Sequence, residues 1–540
     1  MNDALSGRGE RLTRLASHRF DLLVIGGGIT GCGIARDAAL RGLSVALVEK
    51  DDFASGTSSR SSRLIHGGVR YLEHGQLHLV FESSAERRHL LRLAPHLVHP
   101  LEFTWPVYTG ARIPRWKLGA GLMLYDALSL FRNVGRHHRL NPHGVLEREP
   151  MLQREGLLGG ARYYDAATND ARLTLANAID AAEGGALILN HAAVTALITV
   201  SERVAGATIR DALSGTSVDV RARVVVNATG PWSDELRQLD RENGPIVRGS
   251  KGAHIAVPRE RIGNHNAVTL LSPVDGRVLF VLPADSHAIV GTTDTYTSAP
   301  PDDVRATNED VSYLLDAANS FFPAARLTPA DVVSAWAGIR PLVPSVGDTP
   351  GAASREHAIT TSPHGLVSIT GGKLTTYRVM AADVIKVVLA TLNRASGTDR
   401  TKSLPLPGGD FGSLDALVSD ATRVTNDPAA ARHLAMAYGT RWTGVWSEIN
   451  QPGGRATVVD GLPYTVGELR YCVRNEMAHT LADLLIRRTR IAYETRDHGL
   501  DAAETTAIAL STLFGWGDAE RGEAIGAYAD DAARMFAVDE

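Results

Sequence analysis

Asp21-Leu22-Leu23-Val24-Ile25-Gly26-Gly27-Gly28-Ile29-Thr30-Gly31 carries an apolar strand straight into three consecutive glycines. Gly26 permits a tight turn, Gly28 lets backbone N–H groups approach a pyrophosphate with no Cβ in the way, and Gly31 lets the following helix pack closely on the strand. That helix runs through Ile34, Ala35, Ala38 and Ala39 to a stop at Gly42, and its N-terminus points at the phosphates. A second apolar strand, Ser44 to Val48, ends in Glu49, placed to bind a ribose hydroxyl. Three glycines alone mark only a turn, but a strand before, a helix after and an acid about 20 residues beyond meet the dinucleotide fingerprint. A dinucleotide is therefore expected on Gly26, Gly27, Gly28, Ile29, Thr30, Gly31, Glu49 and Lys50. The acid disfavours a 2′-phosphate, which makes NADP the poorest candidate and leaves NAD and FAD open.

The 540-residue length allows two or three domains with a sizeable core. A net charge of −4 offers no basic field for nucleic acid, and the 19 histidines lack the spacing of a metal site, so neither partner is expected. Cys32 and Cys472 form no metal, redox or disulfide pattern, which fits a reducing, cytoplasmic compartment. Met1 to Phe20 has arginines but no apolar run of the kind a secretory signal needs, and residues 1–17 read as a mobile tail.

Two further strands end in glycine: Arg223 to Gly230, and Gly365 to Lys373. Each alone is a buried strand with a turn, but together with the first they suggest one sheet visited three times, with other material inserted between the visits. Gly184 to Leu189 reads as a helix end and another strand of that sheet. A Pro- and Gly-punctuated linker, Leu404 to Gly409, leads to residues rich in alanine, leucine and arginine at helical spacing, as in Ala431, Leu434, Ala435 and Tyr438. The expected fold is α/β: a Rossmann-type dinucleotide domain over 18–399 with an inserted mixed β-sheet substrate domain, then an all-α C-terminal domain over 400–540. The cofactor-binding parts are placed near 18–75, 155–235 and 350–399, and the substrate parts near 76–154 and 236–349.

The run Gly56 to Arg63 looks like a linker, yet it follows Glu49 where the chain must pass the cofactor again. Its hydroxyls at Thr57, Ser58, Ser59 and Ser62, with His66, Gly67 and Gly68 beyond, are placed to hold pyrophosphate and a flavin edge. This run, the segment from Leu64 to Glu73, and Asn227-Ala228-Thr229-Gly230-Pro231-Trp232 resemble the aerobic, FAD-dependent glycerol-3-phosphate dehydrogenases. Lys251 to His254, Gly291 to Asp294, Gly338 to Leu342 and Gly371 to Arg378 are similar to further motifs of that family, in its order. The resemblance is strong over 18–405. It departs at Arg60 and Arg63, where relatives commonly have a small residue and a lysine, and at Ala253, where serine is common.

The resemblance implies FAD held at the three sheet returns, including Ala228, Thr229, Gly230, Gly372, Lys373, Leu374 and Thr375. It implies oxidation of sn-glycerol 3-phosphate to dihydroxyacetone phosphate, with electrons passed to a membrane quinone in glycerol catabolism. A substrate phosphate calls for guanidinium forks, and Arg340 and Arg355 match the family's phosphate-binding arginines. Removing the hydroxyl proton calls for a base, and His254 occupies the family's substrate-facing position, with His66 as second candidate. Lys373 is expected beside the flavin pyrimidine edge, and Arg70 and Tyr71 match substrate-side positions. Acceptor choice is not legible in the sequence, so an oxidase passing electrons to oxygen is the rival reading. A homodimer stays open.

Between Arg112 and Arg139, the apolar centre Leu118 to Phe131 is flanked by Arg112, Arg115, Lys117, Arg132, Arg136 and Arg139. It is too short to span a bilayer. An interfacial helix is expected, with Trp116 and Tyr125 near the headgroups and Leu118, Leu122, Met123 and Phe131 entering the membrane's inner face. A core helix with solvated flanks is the alternative.

Overall fold

Burial on both faces explains why the strand Arg19–Ile25 reads as an unbroken apolar run. Leu22 and Val24 pack with Ile34, Ala35 and Ala38 of the helix Ile29–Leu40, while Leu23 and Ile25 point to the other face, against Leu12 and Leu15. The structure is a computed structural model that describes residues 7–72, 75–130, 133–242, 244–343 and 356–540, with the side chains of Arg70 and Tyr71 outside that description. The strands Val367–Gly371, Ser217–Asn227, Arg19–Ile25, Val45–Val48 and Leu187–Leu189 run parallel and adjacent in that order. Ile25 pairs with Asn227, and Val226 with Val367, so all three glycine-terminated strands end side by side.

Within the segment expected to be a mobile tail, Arg8–Ser17 forms a helix, and residues 1–6 lie outside the described residues. Its Leu12 and Leu15 are buried under the sheet and Arg8 Nε donates to Asp211 at 3.0 Å, contacts that a scan for targeting signals does not reveal.

A second sheet carries Arg248–Pro258 paired antiparallel with both His287–Gly291 and Ser334–Leu342. It continues to Val98–Tyr108 and Leu157–Thr168. Leu157–Thr168 lies in the 155–235 span expected in the cofactor sheet, yet it pairs along Val98–Tyr108, where Tyr163 stacks on Phe103 at 5.0 Å. Leu64–Ile65 joins the same sheet beside it.

The C-terminal region is helical from Leu414 to Phe536, and its last residues, Val538–Asp539, add a short strand to Ala306–Thr307. It also braces the cofactor sheet. Arg488 binds Asp52 bidentately at 2.6 and 3.0 Å, Arg487 joins at 2.7 Å, and both come from a π-helical turn, Asp483–Arg488.

The helix Arg115–Leu128 shows one buried face, and the interfacial expectation needs correcting there. Leu118, Leu122 and Tyr125 are buried in the core, whereas Trp116, Met123 and Leu124 are 71%, 57% and 41% exposed. Leu118, Leu122 and Tyr125 lie three or four residues apart, so they share a face that packs on the Leu157–Thr168 strand. Phe131 and Arg132 lie outside the described residues. No described helix is long and apolar enough to cross a membrane.

Candidate active site

A cavity of about 630 Å³ opens where the three parallel strands end against the second sheet. At one end is the glycine cradle. A Cβ on Gly31 would stand 1.8 Å from the Gly26 carbonyl, and one on Gly26, whose φ is +110°, would stand 2.6 Å from the Ala228 carbonyl. Strand, turn and helix can approach one another only because these two residues lack side chains. Gly28 caps the helix Ile29–Leu40 with no side chain of its own, and Ser58 Oγ accepts the Ile29 N–H at 2.9 Å.

Glu49 accepts the N–H of Gly27 at 2.6 Å and that of Asp51 at 2.9 Å. Burial pushes its carboxyl up to about 7, against the pull of those two donors. Lys50 reaches over the Trp232 ring at 4.4 Å, and both meet Asp302, the lysine at 2.8 Å and the indole N–H at 3.1 Å. These groups suit an adenosine diphosphate: a helix N-terminus and glycine backbone for pyrophosphate, and a carboxylate for ribose hydroxyls. The residues present therefore fit FAD.

The other end of the cavity collects the groups expected to handle substrate. The loop Gly56 to Arg63 is fastened to the second sheet, through Thr57 Oγ1 donating to the Ile339 carbonyl at 2.7 Å and Ser62 Oγ at 2.8 Å from His254 Nε2. His254 stacks on Trp336, with centroids 5.4 Å apart and planes 12° from parallel. Burial lowers its imidazole to about 3, helped by the charges of Arg340 and Arg63, so the ring is neutral at working pH.

Arg340 crosses the face of Gly252, where a Cβ would stand 2.5 Å from its guanidinium. The fork is oriented by Thr292 Oγ1 at 3.0 Å, Asp294 Oδ1 at 3.2 Å and the Thr293 carbonyl at 3.3 Å. Lys373 reaches Ser83 Oγ at 3.3 Å, and the His66 N–H donates to Thr375 Oγ1 at 3.2 Å.

Of the residues singled out in the sequence, the cavity wall contains Gly26, Gly28, Ile29, Thr30, Glu49, Lys50, Thr57, Ser58, Ser62, His66, Gly68, Ala228, Thr229, Gly230, His254, Arg340, Gly372, Lys373, Leu374 and Thr375. Four stand behind it. Gly27 is tied to Glu49, and Gly31 is packed on Gly26. Ser59 is buried, with its carbonyl accepting the Tyr493 hydroxyl at 2.7 Å. The Gly67 N–H is bound by the Tyr125 hydroxyl and Asp165, both at 3.0 Å. Arg355 lies outside the described residues, as do the side chains of Arg70 and Tyr71, although the backbone of the latter two forms a 3₁₀ turn beside the cavity.

Sequence reading missed Thr292, Asp294, Arg277 and Trp232 as wall residues. The first two stand in the Gly291 to Asp294 motif, which carried a resemblance but no role. Asp52, His191 and Asp483 come close enough to share a cation. Arg487 and Arg488 occupy the two carboxylates, which makes this an ion-pair cluster and not a metal centre.

A parallel sheet with a glycine cradle, a buried ribose-side acid and a mixed sheet closing the cavity defines an FAD-dependent oxidoreductase. The family profile described as FAD dependent oxidoreductase matches residues 21–378, and that described as the C-terminal domain of alpha-glycerophosphate oxidase matches 399–521. Glycerol-3-phosphate dehydrogenase 2 of Mycobacterium tuberculosis is 41% identical over 510 residues, covering 93% of this chain and 86% of its own. The aerobic glycerol-3-phosphate dehydrogenase of Staphylococcus saprophyticus is 36% identical, covering 94% of this chain and 93% of its own. The crystal structure of the Bacillus halodurans glycerol-3-phosphate dehydrogenase with FAD superposes with a TM-score of 0.82 at 33% identity, over 99% of this chain and 98% of that one. The chain belongs to the FAD-dependent glycerol-3-phosphate dehydrogenases, and its cofactor is FAD.

Proposed function

We propose that the chain oxidises sn-glycerol 3-phosphate to dihydroxyacetone phosphate at the His254 end of the cavity and passes the electrons to a membrane quinone in glycerol catabolism. The observation that carries the substrate assignment is the oriented Arg340 fork beside a neutral, buried His254 in one cavity with the cofactor cradle. Arg340 binds the phosphate oxygens, and Arg355 is assigned to the same anion from its family position. A planar fork held on three sides fixes where the phosphate sits and so where the C2 hydroxyl points. His254 takes the hydroxyl proton, being unprotonated before the reaction begins. Lys373 contributes positive charge where negative charge develops. Bound FAD supplies the acceptor for the hydride that leaves C2.

The membrane partner is supported by the exposed face of Arg115–Leu128. Trp116, Met123 and Leu124 stand out there, the neighbouring helix Leu77–Leu93 exposes Leu77 and Phe81, and Arg112, Arg115 and Lys117 are exposed at the N-terminal end. An apolar face rimmed by basic residues suits peripheral attachment to an anionic, cytoplasmic leaflet. The test compares anaerobic quinone reduction in anionic vesicles with peroxide yield in air. Fast quinone turnover with little peroxide is expected, and stoichiometric peroxide with no quinone reduction would make the protein an oxidase.

A further inference from the structure

Both ring nitrogens of His254 are enclosed. Nδ1 is buried with no hydrogen-bond partner, and Nε2 lies 2.8 Å from the Ser62 hydroxyl. Trp336 covers one face of the ring, a Cβ on Gly291 would stand 2.2 Å from its Cδ2, and the residue is 2% exposed. Ser62 is more open than His254, lines the same cavity, and sits on the loop that Thr57 fastens to the Arg340 strand. Ser62 therefore presents to the cavity a more open hydroxyl, hydrogen-bonded to Nε2, beside a nearly fully buried imidazole.

We propose that Ser62 is a catalytic residue, a hydroxyl relay that takes the proton of the substrate's secondary alcohol while handing its own proton to His254 Nε2. This role rests on His254 being the proton acceptor and differs from the cofactor contact that the sequence suggested for Ser62. In the step, the substrate O–H bond breaks and a new Ser62 O–H forms as the old one is lost to Nε2. The substrate oxygen becomes a carbonyl as the C2–H pair departs to the cofactor in the established oxidation. Serine ends as it began, and the imidazole carries the proton. Burial first, and then the charges of Arg340 and Arg63, keep His254 unprotonated. A phosphate dianion on Arg340 offsets one of the two charges and so favours proton transfer to His254 when a phosphorylated substrate is seated.

Ser62→Ala, Ser62→Cys, Ser62→Thr, His254→Gln and the Ser62→Ala/His254→Gln double variant of the holoenzyme test the relay. The readouts are FAD content, dihydroxyacetone phosphate binding followed by flavin absorbance, and anaerobic flavin reduction by sn-glycerol 3-phosphate. Ser62→Ala and Ser62→Cys should slow reduction ~10²-fold, as loss of a proton-transfer group does. Ser62→Thr should recover most of the rate, and the double variant should be no slower than His254→Gln. FAD content and product affinity should stay within about threefold throughout. Parallel loss of flavin or product binding in Ser62→Ala and Ser62→Cys would make the hydroxyl a cofactor or structural contact and overturn the relay. A fast Ser62→Ala beside a slow His254→Gln would remove the relay and keep His254 as the base, whereas a fast His254→Gln would remove both.

Discussion

Replacing Arg340 by lysine keeps the positive charge and removes the fork. The guanidinium is aimed by Thr292 Oγ1 at 3.0 Å, Asp294 Oδ1 at 3.2 Å and the Thr293 carbonyl at 3.3 Å, a planar three-point mount that an ammonium on a flexible stem does not reproduce. A charge-assisted hydrogen bond contributes about 1.5–3 kcal/mol, so losing one arm of the fork together with its orientation should cost about 2–3 kcal/mol toward the transition state. At 1.36 kcal/mol per tenfold, that is a ~30- to 150-fold fall in kcat/KM for sn-glycerol 3-phosphate. Steady-state kinetics with an artificial dye, on preparations matched for flavin content, measures it. Turnover of glycerol, which has no phosphate, should change by less than about threefold. Gly252→Ala should act in the same direction, because its Cβ would stand 2.5 Å from the guanidinium. Equal losses on both substrates, or loss of flavin, would show that Arg340 supports structure and that the phosphate is bound elsewhere.

Gly31→Ala should yield protein without flavin, since the new Cβ would meet the Gly26 carbonyl at 1.8 Å; a yellow preparation with full FAD content would refute the cradle. His191→Gln should weaken the contact between the cofactor sheet and the C-terminal helices in a pH-dependent way. Burial opposes the charge of His191, but Asp483, 2.9 Å away, outweighs it and raises the imidazole above its ordinary value. The stabilisation is then fully present below the unfolded value near 6.5 and is lost as pH rises through the raised folded value, so thermal melts should show a penalty of about 1.5–3 kcal/mol at the acid end only. The same penalty above and below that window would contradict the ion pair. Met123→Asp with Trp116→Asp should release the protein from anionic vesicles in flotation assays while sparing dye-linked activity, each apolar side chain contributing about 1.5–3 kcal/mol. High salt should weaken wild-type binding without abolishing it, because it screens only the basic rim; vesicle binding unchanged by the double substitution would move the membrane contact elsewhere.

The cofactor half of the site was legible because its chemistry is local. The Gly26 to Gly31 turn, Glu49 and the two later glycine-ended strands each carry their meaning within a few residues, and the parallel sheet aligns them as Ile25 beside Asn227 and Val226 beside Val367. Contacts between residues far apart in sequence were not legible. Nothing in the run Gly56 to Arg63 distinguishes Ser59, whose carbonyl binds Tyr493 of the C-terminal helices, from Ser62, whose hydroxyl binds His254. The role of Asp294 depends on antiparallel pairing that brings residues 250, 294 and 340 together, with Ser250 Oγ at 2.5 Å and Arg340 at 3.2 Å from its carboxylate. The apolar run in Arg115–Leu128 was ambiguous for another reason. Hydrophobicity is a property of the segment, whereas burial is decided face by face, and the helix has both a core face at Leu118 and Leu122 and an exposed one at Trp116 and Met123.

Anaerobic titration of the purified holoprotein tests the central claim most directly, because it follows the bound flavin itself and needs neither quinone nor membrane. Sn-glycerol 3-phosphate should bleach the oxidised flavin band completely, with dihydroxyacetone phosphate appearing in equal amount, while glycerol at the same concentration leaves the band intact. A flavin that stays oxidised with sn-glycerol 3-phosphate but is bleached by another phosphorylated polyol or by an amine would contradict the assignment of this cavity.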